Sequence, residues 1–117
     1  MIGMPRIIGK LLGGGICILP VQDIIAVQSD IHIQRVFLRD GRSFAIRIAL
    51  NALYKKLNAA SGGQFINPSK GILVNMLAVS TLFVDHIEVI GGKVFPISPR
   101  SYRKLQHQII EYLENEG

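Results

Sequence analysis

The segment Phe65-Ile66-Asn67-Pro68-Ser69-Lys70-Gly71-Ile72-Leu73-Val74-Asn75 sets two apolar ends around a polar middle. Pro68 fixes its own φ and pushes Asn67 out of the helical region, while Gly71 can take a positive φ. The segment therefore reads as two short strands joined by a tight loop, with Ser69 and Lys70 projecting away from the core. A hydroxyl beside an ammonium suits a phosphate oxygen or a base edge. Such a loop taken alone is more often a solvated turn, so its neighbours in the chain must decide between the two readings.

Upstream, Asp40-Gly41 lies between Ile31–Arg39 and Ser43–Ile48 and is the strongest hairpin signal in the chain. In the second arm Phe44, Ile46 and Ile48 alternate with Ala45 and Arg47, giving one buried and one wet face. Leu50, Leu53, Tyr54 and Leu57 follow at helical spacing and predict a short amphipathic helix, ended by Ala59-Ala60-Ser61-Gly62-Gly63. Further back, Pro20–Asp23 reads as a turn and Ile24–Gln28 as a strand. Ile7–Leu12 and Ile16–Leu19 flank Gly13-Gly14-Gly15, either as a hairpin or as a flexible lead-in and one strand. No Gly-Lys-Ser/Thr follows these glycines, so they are not a phosphate loop.

Downstream, Met76–Val84 is apolar and rich in β-branched residues, and Gly91-Gly92 joins Ile87–Ile90 to Lys93–Ile97 as a second hairpin. Ser98 as N-cap and Pro99 as first helical residue predict a helix from Pro99 to Glu114. Tyr102, Leu105, Ile109, Tyr112 and Leu113 share one face of that helix. Arg100, Arg103, Lys104 and His107 fall on the opposite face, at the end where the helix dipole and free N–H groups favour anions.

With 117 residues the chain is long enough to bury a core without disulfides or metal. Its lone cysteine, Cys17, sits among apolar residues and reads as buried, which fits a reducing cytoplasm. No stretch is long and apolar enough for a membrane helix, and the start is not a secretory signal. The net charge is +5, from 13 Lys+Arg against 8 Asp+Glu. Because Glu111, Glu114 and Glu116 crowd the C-terminus, the rest of the chain is more basic than the total. Nucleic acid is the commonest partner of such a charge, and a membrane surface the next. His32, His86 and His107 are far apart and lack companions at metal-ligand spacing, so no metal or other cofactor is expected. Ser101-Tyr102-Arg103-Lys104 matches Ser-x-x-Lys without the companion motifs of that enzyme class. No nucleophile and base can be named, and the chain reads as no enzyme.

Taken in order, these features resemble the LytTR family of bacterial DNA-binding domains. The matching pieces are Ile24–Asp30, Asp40-Gly41, Leu50–Leu57, Phe65–Asn75, and Pro96-Ile97-Ser98-Pro99-Arg100 followed by Tyr102. The resemblance covers Leu19–Leu113 and implies a mainly β fold of elongated antiparallel β-sheets with a short middle helix and a C-terminal helix. Residues 1–18 would be a lead-in strand or hairpin and residues 19–117 the DNA-binding domain. It further implies a bacterial transcription regulator whose loops enter successive major grooves, on direct-repeat sites of double-stranded DNA, with a homodimer on DNA or a regulatory protein partner. His32, in the variable loop Asp30-Ile31-His32-Ile33, is a reader by resemblance alone. Lys70 and Arg100 are assigned to base edges, and Ser69, Arg103 and Lys104 mainly to phosphates. Asn75 is read as structural. The chain departs from the family in offering Ser69-Lys70 where a His-Arg type pair is usual, and Pro99 at an often basic position. The alternative is a LytTR-like protein-interaction or inhibitory module without specific DNA binding.

Overall fold

The computed structural model describes residues 4–116. Strands β1 (Arg6–Lys10) and β2 (Ile16–Pro20) form a hairpin, and a 3₁₀ turn, Val21–Asp23, leads into β3 (Ile24–Asp30). β4 (Ile33–Leu38), β5 (Ser43–Arg47) and α1 (Leu50–Ser61) follow. Next come β6 (Phe65–Ser69), β7 (Ile72–Asn75) and a second 3₁₀ turn, Met76–Ala78. β8 (Val79–Leu82), β9 (His86–Val89), β10 (Val94–Pro96) and α2 (Tyr102–Glu116) complete the order.

The centre is a five-stranded antiparallel sheet in the order β5-β4-β3-β7-β6. Its inner strands run Ile24-Ile25-Ala26-Val27 and Ile72-Leu73-Val74 without polar alternation, the pattern of a sheet buried on both faces. On one face Val27, Val36, Leu38, Ile46 and Leu73 pack with Ile7, Cys17 and Leu19 of the β1–β2 hairpin and Leu53 and Leu57 of α1. On the other, Ala26, Ile66, Ile72 and Val74 pack with Ile87, Val89 and Phe95 of the β10-β9-β8 sheet and Leu105 and Ile109 of α2. The mainly β, antiparallel architecture with two helices is the one expected from the sequence.

The hairpin alternative holds for residues 6–20, and Gly9 explains its seat. A Cβ at Gly9 would lie 2.7 Å from Ile46 Cγ2 and 3.2 Å from Cys17 Sγ, so only glycine lets β1 rest on β5. Leu11 bridges to Ile46, and the Leu12 N–H donates to the Ala45 carbonyl at 3.3 Å. α1 runs past Leu57 to Ser61 and stops at Gly62, whose φ of 72° is left-handed and whose N–H donates to the Asn58 carbonyl. The Asn58 side chain accepts the Phe65 N–H at 2.9 Å, tying the helix end to β6.

Several expected boundaries move: β3 runs past Gln28 to Asp30, and β4 spans Ile33–Leu38 within the arm expected over Ile31–Arg39. Within the apolar run Met76–Val84 the strand spans Val79–Leu82, because Asn75 turns the chain first. Fully buried, the Asn75 side chain donates Nδ2–H to the Ile24 carbonyl at 2.9 Å and accepts the Leu77 N–H on Oδ1 at 3.0 Å. The last helix begins at Tyr102, not Pro99. The Ser98 N–H is committed to the Pro68 carbonyl, Ser101 closes a turn onto the Ser98 carbonyl, and the Ser101 carbonyl accepts the N–H of Leu105. Ser98 is therefore not the cap. Of the apolar stripe, Leu105 and Ile109 are buried and Tyr102 and Tyr112 half-buried, whereas Leu113 is exposed.

Replacing Asn75 with alanine leaves a buried carbonyl and the Leu77 N–H without partners, and destabilisation of about 2–4 kcal/mol is expected in chemical denaturation. A loss below about 0.5 kcal/mol, the level of a surface substitution, would mean that Asn75 does not hold the exit of β7. Gly9→Ala should destabilise by roughly 1–3 kcal/mol, because Ile46 is buried and cannot move aside freely.

Candidate nucleic-acid interface

β3 pairs with β4 on one side and β7 on the other, which sets the β3–β4 and β6–β7 turns side by side at one end of the sheet. The Ser29 N–H donates to the Gly71 carbonyl at 2.7 Å and fixes their relative level. The β3–β7 register, continued past Gln28↔Ile72, sets Lys70 level with Asp30, so Ile31 leads the β6–β7 tip by one residue, roughly 3 Å along the strand direction. The tips are separated by two strand spacings, roughly 10 Å.

The leading tip is Asp30-Ile31-His32-Ile33, with Asp30 paired to Ile33. Ile31 has φ 54° and is the only non-glycine residue with positive φ among those described. Positive φ at the first central position is the glycine site of a type II′ turn. An L-residue there is disfavoured by roughly 1–2 kcal/mol, and more so when β-branched. Ile31 is nonetheless 82% exposed and packs on nothing that would explain it. His32 beside it is exposed.

In the second turn Lys70 is exposed at the tip and Gly71 takes φ 79°, as expected for a polar loop between two strands. The projection of Ser69 is corrected. Ser69 ends β6, and its Oγ is covered and makes no hydrogen bond. The cause is a bulge: Ile66 pairs with Val74 but Ser69 with Ile72, so β6 carries one extra residue at Asn67-Pro68. Asn67 bridges the irregularity by donating Nδ2–H to the Ser69 carbonyl at 2.8 Å and the Ile72 carbonyl at 2.6 Å.

The bond from Ser98 N–H to the Pro68 carbonyl, 3.0 Å, draws the β10–α2 connection against the same hairpin. Arg100 is exposed in that connection, and Arg103 and Lys104 are exposed in the first turn of α2, which contains no acid. His107 leaves the proposed basic group, because its Nε2 lies 3.4 Å from the carboxylate of Glu111 one helical turn on.

Cations at the opposite end of the sheet are engaged within the protein. Arg42 pairs with Asp40 at 2.7 Å, and the Arg42 backbone N–H, followed by this side-chain contact, holds the Asp40 carboxyl below its ordinary range. Arg39 donates to the Gln22 carbonyl at 2.9 Å, and Lys93 lies 4.3 Å from the Phe37 ring centroid. Among the described residues, none of Lys70, Arg100, Arg103 and Lys104 pairs with an acid. Two further exposed arginines belong to this end. Arg47 is paired to Ile33 beside the leading tip, and Arg35 stands between Gln28 and Ala45. Arg47 was legible as a wet-face residue, but its place next to His32 depends on strand register.

Asp85 lies in the bend before β9, and its carboxylate takes a 2.6 Å contact from His86 Nδ1 that lowers its pKa. Among the described residues no three His, Cys, Asp or Glu side chains gather as a metal site, and no helix is long and apolar enough to cross a membrane.

The sequence profile of the LytTr DNA-binding domain matches residues 14–110. No curated protein sequence matches the chain. Among solved structures, the chain resembles the LytTr DNA-binding domain of a Bacillus cereus protein described as a methyl-accepting/DNA response regulator. That likeness has a TM-score of 0.70 at 15% identity and covers 92% of this chain and 98% of the other, and it speaks for the fold. The profile match extends over most of the chain and takes in both turns, the Ser98–Arg100 connection and the start of α2, so the chain belongs to the LytTR family of DNA-binding domains.

Proposed function

We propose that this domain serves a bacterial transcription regulator by binding double-stranded DNA sequence-specifically in the cytoplasm, with its loop tips in the major groove. The observation that carries the reading is the group of exposed cations at one end of the sheet that pair with no acid, set against engaged cations at the other. The β3–β4 and β6–β7 tips lie at one end of the sheet, and each is a two-stranded ribbon of the width that a major groove of roughly 12 Å admits. Lys70 and Arg100 reach base edges and His32 reads beside them. Arg103 and Lys104 sit where free helix N–H groups already favour anions, and they hold phosphates. Ser69 offers no hydroxyl to a phosphate, since its Oγ is covered. Lys70 offers a guanine a point charge without arginine's planar fork, which softens discrimination there. Paired direct-repeat sites, each with one copy of the chain, are the expected targets.

A second reading, a protein-interaction module, is favoured by one feature. The outer face of the β1–β2 hairpin exposes Ile8, paired to Ile18, together with Ile16. A concentration-dependent oligomer that is lost in Ile8→Lys, with no salt-sensitive DNA binding, would carry that reading instead.

Selection from random double-stranded DNA at near-physiological salt should enrich a motif. Enrichment of nothing, with salt-labile binding to every duplex, would defeat the specific reading. On the enriched site, Lys70→Ala and Arg100→Ala should each relax base preference by about 1–3 kcal/mol. Arg103→Ala and Lys104→Ala should instead weaken all duplexes alike and each reduce the log–log salt slope by about 0.9.

A further inference from the structure

The feature that the fold leaves unexplained is Ile31. It is an apolar, β-branched side chain at the foremost point of the leading tip, held at φ 54° in a position that favours glycine. Burial does not account for it, because Ile31 is 82% exposed. Backbone strain of this kind persists where the residue serves something other than stability. The surroundings of the tip narrow what that can be. Asp30 presents an exposed carboxylate at its base, which repels a phosphate backbone, while Arg47 stands behind it opposite Ile33. A tip with an acid at its base and an aliphatic group at its point is unsuited to phosphates and suited to a groove floor. There, the one apolar group on the base edges of the major groove is the C5-methyl of thymine.

We infer that Ile31 is a specificity-determining residue that packs on a thymine methyl, so that the domain requires thymine at the position under the β3–β4 tip. The inference rests on the DNA-binding reading above and adds to it a base identity and a residue. It also explains the conformation: the left-handed backbone turns the side chain outward at the extreme of the hairpin, where a glycine would leave the tip bare.

The test uses the duplex enriched by selection, with each thymine replaced in turn by uracil, which removes the methyl and keeps every hydrogen-bonding group. For the wild-type chain, one or two replacements should weaken binding roughly three- to tenfold, the scale of one buried methyl or methylene group. Ile31→Gly should bind the thymine site weaker by the same factor and be indifferent to those replacements. Its melting temperature should nevertheless rise, because the substitution relieves the turn. Ile31→Asn, which tolerates the left-handed region but lacks the aliphatic surface, should bind like Ile31→Gly. If both variants bind the thymine site as the wild type does, or lose affinity equally with thymine and uracil, the inference is overturned while specific DNA binding stands. If selection enriches no sequence, specific binding fails, and this inference fails with it.

Discussion

Burial of the central sheet on both faces is the constraint on which the rest of the molecule depends. β7 and the Ile24–Val27 stretch of β3 expose no face, since the β1–β2 hairpin and α1 cover one side and the β8–β10 sheet and α2 the other. A sheet so covered can meet a partner only through its ends. Antiparallel pairing then determines which ends are available: the β3–β4 and β6–β7 turns share one, and the β4–β5 turn occupies the other. Asn75 is part of the same constraint. Its side chain satisfies the Ile24 carbonyl on β3 and the N–H of Leu77, where β7 gives way to the layer that covers it. A buried polar group with both ends satisfied fixes a geometry that apolar packing alone would leave less defined.

Much of this fold was legible in the sequence because local signals and tertiary demand agreed. Asp40-Gly41 marks a hairpin by turn chemistry, and Leu50, Leu53, Tyr54 and Leu57 mark a helix by period. What escaped the sequence was set by partners distant in the chain. Ser98-Pro99 is a good local helix start, yet the Ser98 N–H goes to the Pro68 carbonyl thirty residues earlier, and α2 waits until Tyr102. Ser69 follows proline in a polar loop, yet the β6 bulge covers its hydroxyl. The β3–β4 turn carries no glycine or Asn-Gly signal, so pattern alone set the break between Gln28 and Ile31, and only the family resemblance put the loop at Asp30–Ile33.

The candidate site was legible in the same uneven way. Lys70 stood out as a cation in a loop and Arg100 as one on the basic face of the expected last helix, and the structure brings their two segments together through the bond between Pro68 and Ser98. Charge content alone would have weighted Arg39, Arg42 and Lys93 equally with them. Their engagement with Gln22, Asp40 and Phe37 is a matter of geometry, invisible in a count of basic residues. An arginine already satisfied within the protein must break that contact to meet a phosphate, whereas a solvated one gives up only water and counterions.

Departures from local stability rules gather at one end of the molecule. Ile31 occupies a glycine conformation. Ser69 carries a covered hydroxyl without a partner. α2 opens with Arg103 and Lys104 and no acid, although the positive end of a helix dipole favours carboxylates. Asn75, Asn58, Gly9 and Gly62, which hold the core and its covering layers, obey those rules. Sequences are expected to be locally consistent except where function opposes it. A helix that begins with two cations is less stable alone but gains when an anion arrives. The arrangement at this end therefore makes better sense with a polyanion against it than in the free domain.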